Sequence, residues 1–168
     1  MGIKAKFNRA DVRRMIQRDW AKIEANLFSI MAYVGEEFVT NVRSGMQIDQ
    51  GAFPKGDYRD QTANLRSSVA YFILKDGIIV RKNSVGTAEG QQAAQGMLNS
   101  VPKLRKGYQL VGVAGMDYAS RLEAMGYNVI SSQAEVAMIN LSKQLKAYAA
   151  KKGFDMDIDF TGVMVQMR

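Results

Sequence analysis

Between Arg9 and Ser44 the apolar residues Val12, Ile16, Trp20, Ile23, Leu27, Ile30, Val34 and Phe38 recur at intervals of three and four. That is the period of one face of an α-helix, and it predicts a single long helix. Asn8 followed by Asp11 supplies an N-terminal capping pair, and Ser44-Gly45 a C-terminal stop. About 36 residues at ~1.5 Å each extend roughly 54 Å, more than the core of a small domain can cover, so one end is expected to overhang. Gly35 interrupts the pattern and marks a bend or a close contact.

The remaining elements follow from the same reading. Residues 45 to 64 are rich in Gly, Asp and Asn and read as an irregular connection. Ser68–Leu74 and Ile78–Arg81 are β-rich runs around Lys75-Asp76-Gly77, and Asp-Gly is the turn pair that hairpins of reversed twist prefer. Residues 83 to 106 are small and polar, and they are expected to form a mobile loop. Tyr108–Val113 reads as a third strand. Asp117 is placed as the cap of a short helix over Tyr118–Met125, and Ser132 as the cap of a helix to about Lys152 that Gly153 ends. From Phe154 the chain alternates, with Phe154, Met156, Ile158 and Phe160 on one side and Asp155, Asp157 and Asp159 on the other, so residues 154–168 read as a terminal strand arm. The fold expected is α+β, one domain of 168 residues in which a long N-terminal and a C-terminal helix pack on a small antiparallel sheet.

Composition narrows function by exclusion. With neither cysteine nor histidine, the chain has no disulfide, no thiolate nucleophile, no Cys/His zinc site and no histidine-based catalytic arrangement. Serines 67, 68, 131 and 132 lack a histidine to activate them. The Gly-rich pieces at 86–90 and 112–115 have neither the spacing of a P-loop nor that of a dinucleotide fingerprint. Asp155-x-Asp157-x-Asp159 matches only the first half of a calcium loop, because Phe160 and Gln166 occupy the positions that need Gly and Glu. No enzymatic activity, cofactor or metal is therefore expected. No apolar run reaches membrane-spanning length, and the first residues do not read as a secretory signal, so synthesis and folding in the cytoplasm are expected.

A net charge of +7 suggests polyanionic or acidic neighbours. The excess is sharpest before residue 23, where Lys4, Lys6, Arg9, Arg13, Arg14, Arg18 and Lys22 meet only Asp11 and Asp19, and the chain after residue 107 is balanced. Arg14, Arg18 and Lys22 form a stripe opposite Ile16 and Trp20. Such a stripe suits three settings: solvent, duplex phosphates, or the acidic surface of a neighbouring subunit.

Two stretches carry a resemblance. Asp57-Tyr58-Arg59-Asp60-Gln61-Thr62-Ala63-Asn64-Leu65-Arg66-Ser67-Ser68 resembles a Thr-Gly-Asn-Leu-Arg-x-Ser segment that precedes the first hairpin in the tail-completion, or neck, proteins of long-tailed bacteriophages. Gly115 to Ile130, with Tyr118-Ala119 and Leu122-Glu123 before Gly126, resembles the family's Tyr-Ala-x-x-Val-Glu-x-Gly. Ala63 stands where the family has Gly, Leu122 where it has Val, and a Pro-Phe-Leu-x-Pro-Ala before the last helix is absent. The resemblance implies a non-enzymatic virion component made in the bacterial host. It implies a homo-oligomer, a sixfold ring, that joins head connector to tail or completes the tail's upper end. Its partners would be other neck, connector and tail proteins, with non-specific contact to passing DNA. Thr62, Asn64, Leu65, Arg66, Tyr118 and Glu123 are then candidates for assembly contacts, and Arg13, Arg14, Arg18 and Lys22 for a DNA-facing lumen. The alternative is a basic DNA-binding or regulatory protein that uses its N-terminal helix.

Overall fold

The structure is a computed structural model, and it describes residues 8–45, 63–127, 129–154, 156 and 158. Eight elements follow in order: α1 (Arg9–Gly45), α2 (Asn64–Ser68), β1 (Val69–Lys75), β2 (Ile78–Asn83), α3 (Ala88–Ser100), β3 (Tyr108–Ala114), α4 (Ala119–Ala124) and α5 (Ser131–Lys152). The architecture is α+β, with a long N-terminal helix, a C-terminal helix and a three-stranded antiparallel sheet of order β2-β1-β3.

α1 runs unbroken for 37 residues. Its start is the reciprocal cap expected from the sequence. The Asp11 amide donates to Asn8 Oδ1 at 2.8 Å, and the Asn8 amide donates back to Asp11 Oδ2 at 3.4 Å. β1 and β2 are joined by Asp76 (φ 53°) and Gly77 (φ 79°), the two consecutive positive φ angles of a type I′ turn.

β1 is the middle strand and is buried on both faces. Val69, Tyr71 and Ile73 point to α1, whereas Ala70, Phe72 and Leu74 point to α3. Close approach sets the first packing. A Cβ at Gly35 would fall 2.6 Å from the Tyr71 ring, and one at Gly112 would fall 2.8 Å from Phe38. Tyr71 and Gly112 are register partners on β1 and β3, so each glycine opens the space that an aromatic ring from the other layer fills. The close contact expected at Gly35 is thus the Tyr71 ring. α5 packs along α1 rather than on the sheet and contributes Leu145 to the same core.

Several sequence expectations are corrected. Residues 88–100, within the stretch expected to be a mobile loop over 83–106, form the helix α3 on the far face of the sheet. Its apolar content is low because it packs through small residues. Gly90, Ala94 and Leu98 are buried at four-residue spacing. A Cβ at Gly90 would meet the Ser67 side chain at 2.5 Å, and one at Gly115 would meet the Ala93 backbone at 2.2 Å. A helix that approaches this closely needs little side chain to exclude water. The end of the expected irregular connection and the start of the first expected strand form α2 instead. α4 takes no cap from Asp117, its N-cap position being Tyr118, and α5 begins at Ser131 rather than after a Ser132 cap. Of the expected terminal strand, Phe154, Met156 and Ile158 are described. They are half-buried on the predicted apolar side but lie outside any strand, and the remainder, Asp155, Asp157 and Asp159 included, lies outside the described residues.

Candidate docking surface

α1 has two unequal parts. From Leu27 onward its inner face is buried, while Arg9 to Lys22 project beyond the body with every side chain but Asp11 exposed. Fourteen residues at ~1.5 Å make an overhang of about 21 Å. Val12, Met15, Ile16 and Trp20 share one side of it at i, i+3, i+4 and i+8, with Ile16 64% and Trp20 57% exposed. Beside it, Arg14 pairs with Asp11 at 2.7 Å and Lys22 with Asp19 at 3.6 Å. Both pairs are exposed and hold the helix only weakly. Arg13 and Arg18 have no ion-pair partner among the described residues. The overhang therefore offers an apolar stripe backed by a basic one.

A polar clamp roots it. Glu24 accepts from the Lys75 ammonium and, at 2.9 Å, from the Tyr108 hydroxyl. The Tyr108 ring also meets Phe28 edge-on with centroids 5.3 Å apart. The hydrogen bond from Lys75, then that from Tyr108, hold the Glu24 carboxyl below its ordinary range, and the same bond raises Lys75. Burial, then the bond to Glu24, push the Tyr108 phenol up. Farther along α1, Glu36 accepts from Tyr71 at 2.9 Å and from Asn83. Arg43 donates to the Val69 and Val85 carbonyls at 2.8 and 2.9 Å. Burial, then the nearby charge of Arg66, lowers the Arg43 guanidinium. These groups tie α1 to the sheet, and no reacting pair is assembled among them.

The described residues of the two resemblance stretches make mainly internal contacts. Ala63 has φ 59°, a left-handed conformation that glycine adopts without strain. Asn64 donates to Glu89 and accepts from Thr87, both at 2.8 Å, which ties α2 to α3. Thr87 in turn caps α3 by accepting from the Gly90 amide at 3.1 Å. Leu65 is fully buried. Glu123 turns inward, accepting from the Ile130 and Ser131 amides at 2.6 and 3.0 Å, where its charge suits the amide end of α5. Asn64, Leu65 and Glu123 therefore each have a structural role within the protomer. Arg66 and Tyr118 are half-buried and interact within the chain, while Thr62 lies outside the described residues. Arg13, Arg14, Arg18 and Lys22 are all exposed on the overhang, which keeps them apart from the assembly candidates.

Two features have no counterpart in the sequence reading. A groove of about 2130 Å³ opens between α1, β3 and α4–α5, with β3 as its floor. At the other edge of the sheet, Ile78 (70%), Ile79 and Val80 are exposed on β2. β2 buries neither face. Among the described residues no group of three acidic side chains could hold a metal, and no helix is long and apolar enough to cross a membrane. No family of known proteins, no curated protein and no solved structure matches the chain.

Proposed function

We propose that this protein is a structural, docking component of a phage virion, one that assembles as a ring at the head–tail junction. The observation that supports this most is the overhang of α1. A chain does not gain by holding Val12, Met15, Ile16 and Trp20 in water unless another surface covers them, and contiguous exposed apolar patches of this kind mark protein contacts. Arg13 beside the stripe and Arg18 behind it suit acidic neighbours or the phosphates of DNA passing through a lumen. The two resemblance stretches support the same reading as builders of the protomer that presents the helix.

Electron microscopy of the purified chain, alone and mixed with neck and connector proteins of a candidate phage, tests it. Rings, or a collar at the junction, are expected from the native sequence, and Ile16→Asp with Trp20→Asp should abolish them while leaving the fold intact. A native chain that never joins a particle overturns the proposal. The alternative, a DNA-binding regulator, is favoured by the same basic stripe and predicts tight, sequence-selective duplex binding by the monomer. Weak, non-selective attraction that vanishes with salt supports the virion reading.

A further inference from the structure

The overhang of α1 and the groove beside β3 match in size. The floor of the groove, β3, has seven residues and is therefore roughly 23 Å long. Ile23, Leu110, Met116, Leu141 and Met156 stand half-buried along it, an apolar wall left partly open to water. The overhang, Arg9 to Lys22, is about 21 Å long, and a helix ~10–12 Å across of that length fills roughly 1600–2400 Å³. The groove holds about 2130 Å³.

They match in charge as well. In a chain of net +7, the described residues lining the groove include four acids, Glu24, Glu89, Asp117 and Glu123, against two bases, Lys103 and Arg121. With Glu24 engaged by Lys75 the balance stays acidic. The overhang is the reverse, with Arg9, Arg13, Arg14, Arg18 and Lys22 against Asp11 and Asp19. A basic apolar helix and an acidic apolar groove attract one another. They cannot meet within one chain, because α1 is unbroken over its 37 residues and its buried half, with Leu27, Met31 and Phe38, forms a wall of the same groove.

We infer that the overhang of one copy seats in the groove of a second copy. Val12, Met15, Ile16 and Trp20 turn to the apolar wall, and Arg13 and Lys22, which flank that stripe on either side, lie at the acidic rim. Donor and acceptor are different surfaces, so the contact is head-to-tail, the kind that closes into a ring or runs on as a filament. This deepens the docking reading and rests on it, since it names what covers the overhang. Sedimentation of the purified full chain tests it with no other neck protein present. A monomer is expected in dilute solution and assembly as the concentration rises. Ile16→Asp with Trp20→Asp spoils the donor, and Asp117→Lys with Ala137→Lys the acceptor. Each variant should stay monomeric with its helix content unchanged in circular dichroism. Mixed, the two should give a one-to-one pair and nothing larger, because one sound helix and one sound groove remain. Should Ala137→Lys unfold the chain, Asp117→Lys alone takes its place; it changes an exposed side chain and should weaken assembly by about tenfold. A native chain that is monomeric at every concentration, or a pair of variants that do not combine, overturns the inference. Assembly that survives the acceptor change overturns it too, and sets the stripes of two overhangs against each other. The two readings fail separately. A chain that is monomeric alone yet forms the collar with connector proteins removes only the seating of helix in groove, whereas a chain that pairs as described but never joins a particle removes only the ring at the junction.

Discussion

The two parts of α1 share one apolar period and differ wholly in what they do with it. Leu27, Met31, Val34 and Phe38 meet β1, β3 and α5 and lie at or below 8% exposure, whereas Val12, Met15, Ile16 and Trp20 stand 46% or more exposed. Helical periodicity tells which side of a helix is apolar. It says nothing about where along the axis the body that covers that side begins. That boundary is set by the sheet, whose strands are short, and by the Glu24 clamp at its near corner. Half of the helix is consequently held by packing and half by its own hydrogen bonds and cap, and the second half is the part left available to a partner.

The difference should be plainest in core truncations. Phe38→Ala empties the space against Gly112 and is expected to cost about 3–5 kcal/mol in chemical denaturation. A cost below about 1 kcal/mol would mean that the buried half is not the anchor. Gly35→Ala comes next. In an exposed helix the change would stabilise by about 1 kcal/mol. Here the added methyl meets the Tyr71 ring at 2.6 Å, so a net loss of about 1–3 kcal/mol is expected, and a gain would show that α1 and the sheet can move apart freely.

How much of this was legible depended on which signal each element uses. α1, the hairpin at Asp76-Gly77, β3 and α5 announce themselves through period, turn pair or cap. α3 did not, because Gly90 and Ala94 pack by closeness rather than by apolar area, and hydrophobicity is blind to that. The assembly candidates pose a related problem of reading. Asn64 and Glu123 are polar residues in distinctive stretches, and such residues serve equally as internal caps; only the positions of the Thr87, Ile130 and Ser131 groups distinguish the two roles. The basic stripe was readable, since Arg14, Arg18 and Lys22 at four-residue spacing need no tertiary information. The groove beside β3 was not, because it is made by elements distant in sequence.

Smaller effects locate the border between the halves. With the Glu24 carboxyl held below its ordinary value of 4.5, its contribution is complete above that value and is lost as the pH falls through the lower folded one. Lys75, raised above 10.5, keeps its share below that value and loses it as the pH rises through the higher folded one. The clamp is thus whole across the neutral range. Glu24→Gln should lower the melting temperature at pH 7 and have no effect once the pH is well below the carboxylate range. An equal deficit at both would mean that the loss is one of packing rather than charge.

The smallest change is expected from Ile16→Ala, and its smallness carries the argument. A side chain 64% exposed has little transfer energy to lose, and alanine is the better helix former, so stability should shift by no more than about 0.5 kcal/mol. Trp20, one turn away and the chain's only tryptophan, reports on the same stripe. In the isolated chain its emission should be that of an exposed indole, open to acrylamide and unaltered by Ile16→Ala. A loss comparable to that of Phe38→Ala, or a shielded indole, would place the overhang against something in the free protein. The helix would then be buried along its whole length, with no stripe left for a neighbour to cover.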